Sequence, residues 1–267
     1  SDHDARALLD AYAPVYEIET RGRSDRFGTM MWRTADPPSV DTARPLVYRR
    51  LAYTRYQQHV LVQLVYSAWF PERPAGKALD ILAGHLDGVV LRVTLNTDGK
   101  PLLVDTIHPC GCYHMFFPTP QARLLPAPDS GEEWALAPAT LPALGSGQRI
   151  AVRIASGSHY VVGVRPYDGA VGTAYGFADD NHLRALPTPD GHSRSAFGPD
   201  GVVAGTERLE RFLFWPLGIA NPGAMRQWGR QPTAFIGYRH FDDADLIEKR
   251  FRLAMPAAIQ SRNPSVR

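Results

Sequence analysis

The chain has 267 residues, of which 44% are hydrophobic, 21% charged and 10% aromatic, so a sizeable core is available and wholesale disorder is excluded. Lys and Arg number 29 against 27 Asp and Glu, a balance too even for the electrostatic footprint of a nucleic-acid or anionic-membrane binder. Twenty-three glycines and 23 prolines exclude a helical bundle, because Pro breaks helix interiors and Gly weakens them by about 1 kcal/mol relative to Ala.

Residues 5–12 predict a two-turn helix capped by Asp4 and stopped by Pro14. Short strands follow at 15–20 and 28–33, separated by the polar stretch Arg21 to Arg26. The strongest signal is an antiparallel hairpin, Leu46 to Tyr53 and His59 to Trp69. Its second arm carries Val60, Val62 and Leu64 on one face and Leu61 and Val65 on the other, which predicts a central strand covered on both sides. Gln63 is then a buried amide in need of partners. Residues 77–83 read as one or two helical turns. A second hairpin begins at Gly84, turns at Asp98-Gly99 and returns over 102–107. The Pro-, Ala- and Gly-rich stretch 118–146 reads as a long surface excursion. A third hairpin pairs 148–155 with 159–164, and 167–205 is a long irregular segment of the kind that is functional or mobile. Residues 208–215, 233–240 and a helix over 243–251 close the fold, with a frayed tail after Pro256. No repeat or composition shift divides the chain. The expectation is one mostly β domain over 1–267, an antiparallel β-sandwich or barrel with short peripheral helices.

No run approaches the ~20 apolar residues that span a bilayer. Numbering that starts at Ser rather than Met favours an exported protein with a trimmed leader, periplasmic or secreted, over a cytoplasmic one. The arginine-dominated basic set suits a high-GC bacterial genome as well as any binding role.

The densest chemistry lies in Thr106-Ile107-His108-Pro109-Cys110-Gly111-Cys112-Tyr113-His114. Thiolate and imidazole ligands suit Fe, Cu or Zn. Same-face neighbours in a strand lie roughly 6.5–7 Å apart, so a flat strand cannot bring His108, Cys110, Cys112 and His114 to one ion. A turn at Pro109 and Gly111 could gather two or three of them with a residue from elsewhere. Buried structural thiols, or a disulfide across one glycine, weigh evenly against the metal reading.

Gly84-His85-Leu86-Asp87-Gly88 opens a strand, and Gly157-Ser158-His159 opens another much later. This stretch resembles the double-stranded β-helix oxygenases, whose two-His-one-carboxylate triad holds Fe(II) with open positions for substrate and O₂. The resemblance implies His85, Asp87 and His159 as ligands. The basic residue that the family uses for a 2-oxoglutarate carboxylate, about ten positions after the distal His, has no counterpart here, since Arg165 comes earlier.

Weaker signals remain. Gly191-His192-Ser193-Arg194-Ser195 approaches a nucleophile elbow but ends in Ser and follows no buried strand. The clusters 179–182 and 239–243 could bind a cation, although solvated loop acids account for the first and helix capping for the second more simply. Trp69, Trp215, Trp228, Tyr66 and the 212–214 aromatic run could line a pocket for an aromatic or lipidic ligand, although core packing accounts for such residues more simply. Residues 225–230 join arginines to Trp228 and could hold an anion.

Two functions follow. The first is a metal-dependent enzyme, an oxidoreductase acting on a small molecule or lipid through the His/Cys or His/Asp cluster with a transition metal. The second is a non-catalytic exported protein that binds a ligand or partner and has structural cysteines.

Overall fold

The computed structural model describes residues 1–33, 37–129, 133–233 and 239–255. Helix α1 (Asp2–Ala11) is followed by β1 (Val15–Ile18), β2 (Thr29–Met31) and β3 (Ser39–Asp41). Then come two hairpins, β4 (Leu46–Tyr56) with β5 (His59–Arg73) and β6 (Gly84–Leu95) with β7 (Pro101–Ile107). Strands β8 (Met115–Pro118) and β9 (Ala122–Leu124) precede the third hairpin, β10 (Ile150–Ile154) with β11 (Val161–Pro166). The remainder is β12 (Gly176–Asp179), β13 (Leu186–Pro187), β14 (Ser193–Arg194), α2 (Arg211–Phe214), α3 (Leu246–Arg250) and β15 (Phe251–Leu253).

The molecule is a mostly β, sandwich-like fold. One sheet runs β12-β4-β5-β6-β7-β8 and a second β1-β10-β11. All pairings between neighbours are antiparallel except β12 on β4 and β1 on β10, which are parallel. The main core lies between the sheets, where Leu64, Tyr66, Phe70, Val89, Leu91 and Val104 meet Tyr16, Ile150, Val152, Ile154 and Val161. Strand β5 is covered on both faces as its sequence requires, with Leu64 in the main core and Leu61 and Val65 in clusters on the opposite side. Val60 is the exception at 64% exposure, because it precedes the stretch over which other elements cover the sheet. Gln63 finds its partner: its amide donates to the Thr94 hydroxyl at 3.1 Å.

Helix α1 starts before the expected cap, because the Ser1 hydroxyl and the Asp4 side chain form a reciprocal capping box. Residues 77–83 form turns rather than helix. The Asp80 carboxylate accepts from the Gly76 and Leu82 amides and so gives the backbone a local alternative to helical bonding. The 118–146 excursion is pinned by Leu141 and Leu144 in the main core. The C-terminal helix is shorter than expected, and the expected tail after Pro256 and most of 233–240 lie outside the described residues. Among the described residues no helix is long and apolar enough to cross a membrane.

Candidate functional site

Strand β6 delivers Asp87 into the interior at 2% exposure. Its Oδ2 lies 2.8 Å from His159 Nδ1, and its Oδ1 lies 3.2 Å from His108 Nδ1. His159 also stacks on Phe70, with ring centroids 3.9 Å apart and planes 7° apart, and its Nε2 faces the Ser24 carbonyl at 3.1 Å. Burial alone would raise the Asp87 carboxyl, but the charges of His108 and His159 and their hydrogen bonds outweigh it and hold the carboxyl well below the usual range.

The backbone around this clamp is unusual. Leu86, Tyr113 and His159 have φ of 52°, 56° and 51°, the left-handed region that costs a non-glycine residue roughly 1–2 kcal/mol. The clamp and the packing around it offset that cost.

A second buried network sits nearby. Arg92, 2% exposed, grips Asp105 with Nε at 3.0 Å and Nη2 at 2.8 Å, stacks on the Phe241 ring at 3.8 Å and donates to the Phe241 carbonyl. His114 Nε2 lies 2.9 Å from the same Asp105 carboxylate. Burial raises the Asp105 carboxyl, yet the Arg92 guanidinium and His114 bring it below its ordinary value. Burial lowers His114 in turn.

The sequence-derived site residues therefore divide. Asp87, His108 and His159 come together, but each Asp87 oxygen is spent on an imidazole. His85 points elsewhere, its Nε2 2.6 Å from the Pro38 carbonyl. His114 belongs to Asp105. Cys110 and Cys112 are free thiols in a turn where the Cys112 amide faces Cys110 Sγ at 3.4 Å. The hydrogen bond with Cys110, then burial, push the Cys112 thiol well up, the opposite of an activated thiolate. Among the described residues no group of three or more His, Cys, Asp or Glu side chains is disposed to hold a metal ion.

The same 110–114 turn does something the sequence did not show, since it forms one wall of a cavity of about 430 Å³. Gly111, at φ 95°, permits the turn, and a Cβ there would stand 2.3 Å from the Pro232 carbonyl oxygen. Phe116 on β8, Trp134, Leu136, Phe214, Leu217 and Ile219 supply much of the remaining wall, and Glu210 lies among them. Of the aromatic residues singled out from sequence, Phe214 lines this cavity. Tyr66 and Trp69 are core residues, whereas Phe212, Leu213 and Trp215 are exposed, the last at 71%. The weaker clusters are spent on backbone: Asp179 caps the turn at Asn181, Asp243 accepts from the His240 amide, and Arg226 donates to the Ala220 and Asn221 carbonyls. Ser193 and Arg194 of the elbow-like stretch are exposed.

No family model matches the sequence, and no curated protein matches it. Two solved structures resemble the fold. One, "NLPPya in complex with mannosamine", shares 12% identity at a TM-score of 0.39, covering 72% of this chain and 76% of that one. The other, "Toxin fold for microbial attack and plant defense", shares 12% identity at a TM-score of 0.34, covering 73% and 85%. At such TM-scores the likenesses leave function to the site itself. The Asp87 and Asp105 carboxylates committed to their imidazoles, with no group disposed to hold a metal ion among the described residues, correct the expectation of a metal-dependent oxidoreductase.

Proposed function

We propose that this protein is a non-catalytic binding protein whose ligand, a small and largely apolar molecule, occupies the cavity behind the 110–114 turn. The observation that carries the reading is the cavity: about 430 Å³, within the range of small-molecule sites, and apolar with few polar groups, as such sites are. Its walls come from Leu82 and from stretches around 110–116, 133–136, 210–223 and 232–250, and Phe116 anchors one of them in the cluster that also holds Leu246 and Phe251. The His108 and Asp87 clamp fixes the turn from behind. Its role is to hold the wall in place, and chemistry on the ligand is not required of it.

The test is a titration with the neutral fluorophore N-phenyl-1-naphthylamine, which brightens in apolar surroundings. Saturable binding at one site, abolished by Ile219→Trp because the indole fills the cavity, is the expected result. Absence of saturable binding, or binding indifferent to Ile219→Trp, would overturn the reading.

A further inference from the structure

Glu210 is 6% exposed and lines the cavity. Its backbone is fixed from both sides, the amide donating to the Ile81 carbonyl at 3.3 Å and the carbonyl accepting from Leu213 and Phe214 at 2.9 and 3.0 Å. Among the described residues its carboxylate accepts no hydrogen bond and joins no ion pair. The arginines nearest in charge are committed elsewhere: Arg208 donates to the His85 and Leu86 carbonyls, and Arg73 to the Ser158 carbonyl. The carboxylate packs over Gly223, where a Cβ would fall 1.9 Å from Oε1, so a side chain at position 223 would collide with it. Burial raises the Glu210 acid, with Arg208 and Arg73 only partly opposing.

An unpaired carboxylate is costly to bury, and this one faces a cavity whose walls also hold Tyr113, Phe116, Trp134 and Phe214. Carboxylate and aromatic rings together are the donor set that recognises an organic cation. The other charged groups of the lining, Glu133, Arg239 and Arg250, gather at the Trp134 wall, where Arg239 donates to the Glu133 carbonyl and Arg250 stacks on the indole at 4.0 Å.

We infer that the ligand is an organic ammonium, an aryl or alkyl amine whose charged nitrogen pairs with Glu210 while its apolar body fills the cavity. This rests on the cavity being a binding site, and the experiment separates the two claims. Three probes of one shape, 4-phenylbutylamine, 4-phenylbutan-1-ol and 4-phenylbutyrate, are titrated calorimetrically into the wild-type chain and into Glu210→Gln. The expected result is that the amine binds at least about tenfold tighter than the alcohol, with that advantage lost in Glu210→Gln while the alcohol is unaffected. Equal affinity of amine and alcohol leaves the cavity a binding site and overturns the ammonium. Preference for the butyrate overturns it in favour of the Arg239 and Arg250 end. Failure of all three probes overturns both readings. The isosteric variant relieves a buried charge, so its unliganded thermal midpoint should equal or exceed wild type, which separates lost recognition from lost folding.

Discussion

Replacing Asp87 with Asn tests whether the His108, Asp87 and His159 cluster is structural. The substitution keeps the shape and removes the charge. Of the two side-chain atoms that face imidazole nitrogens at 2.8 and 3.2 Å, one becomes an NH₂ group that can only donate, so one ring nitrogen loses its acceptor. Breaking a buried charge pair from one side costs about 3–5 kcal/mol. In a chain of this size each kcal/mol moves the thermal midpoint by about 2–4 °C, so a fall of roughly 6–20 °C is expected, read by circular dichroism at neutral pH. The pH dependence has a definite sign. The carboxyl is depressed in the folded state, so its contribution is full above its unfolded value near 3.8 and is lost as the pH falls toward the folded value. The gap between variant and wild type should therefore narrow in acid. His85→Ala, two positions away with its ring against the Pro38 carbonyl, serves as the control and should cost about 1 kcal/mol. A midpoint for Asp87→Asn within about 2 °C of wild type, about a third of the smallest fall expected, would refute the structural assignment.

Asp105→Asn and Arg92→Met should each destabilise by about 3–5 kcal/mol in urea, whereas the double replacement Arg92→Met with Asp105→Leu should lose much less than the sum, because no uncompensated charge remains. Gly111→Ala places a methyl on the Pro232 carbonyl at a positive φ, so it should cost more than about 1 kcal/mol and weaken N-phenyl-1-naphthylamine binding in the same titration. Because the Cys112 thiol is pushed up, iodoacetamide at pH 8 should label the native protein far more slowly than the urea-unfolded chain. Equal rates would place the thiol in solvent.

The hairpins were legible because their information is local. Alternating side chains and the Asp98-Gly99 turn specify β6 and β7 without reference to the rest of the chain, and the two apolar faces of β5 announced a covered central strand. The parallel pairings of Val15 with Ala151 and of Leu46 with Gly176 join residues far apart in sequence, and no periodicity reports them. The cavity was illegible for the same reason, since Cys110, Trp134, Phe214 and Pro232 meet only after the sheet has brought their loops to one end. The residue types of the 108–114 segment suggested ligands; in the structure His108 faces Asp87, His114 faces Asp105, and residues 110–114 line the cavity. The deciding facts were Asp87 and Asp105, inward on neighbouring strands, each needing a cationic partner once buried. Sequence reasoning already places Asp87 with His159; the carboxylate it misses is Asp105, beside His114.

The distribution of buried charge then points to where function resides. Asp87 has His108 and His159, Asp105 has Arg92 and His114, and Asp25 accepts from the Arg21, Gly22 and Gly157 amides and from the Ser156 hydroxyl. Even Asp180, raised by burial, reaches Arg50 at 3.4 Å. These acids are committed to holding the chain, which is why their replacement should lower stability. Glu210 is buried too, at 6% exposure, and has no such partner among the described residues, so its charge works against folding until something outside the chain neutralises it. Glu210→Gln should accordingly leave the free protein no less stable while removing a binding preference, the reverse of the pattern expected at Asp87. Measuring thermal midpoint and amine affinity on both variants distinguishes the two roles, and a large fall in midpoint for Glu210→Gln would return that residue to the structural set.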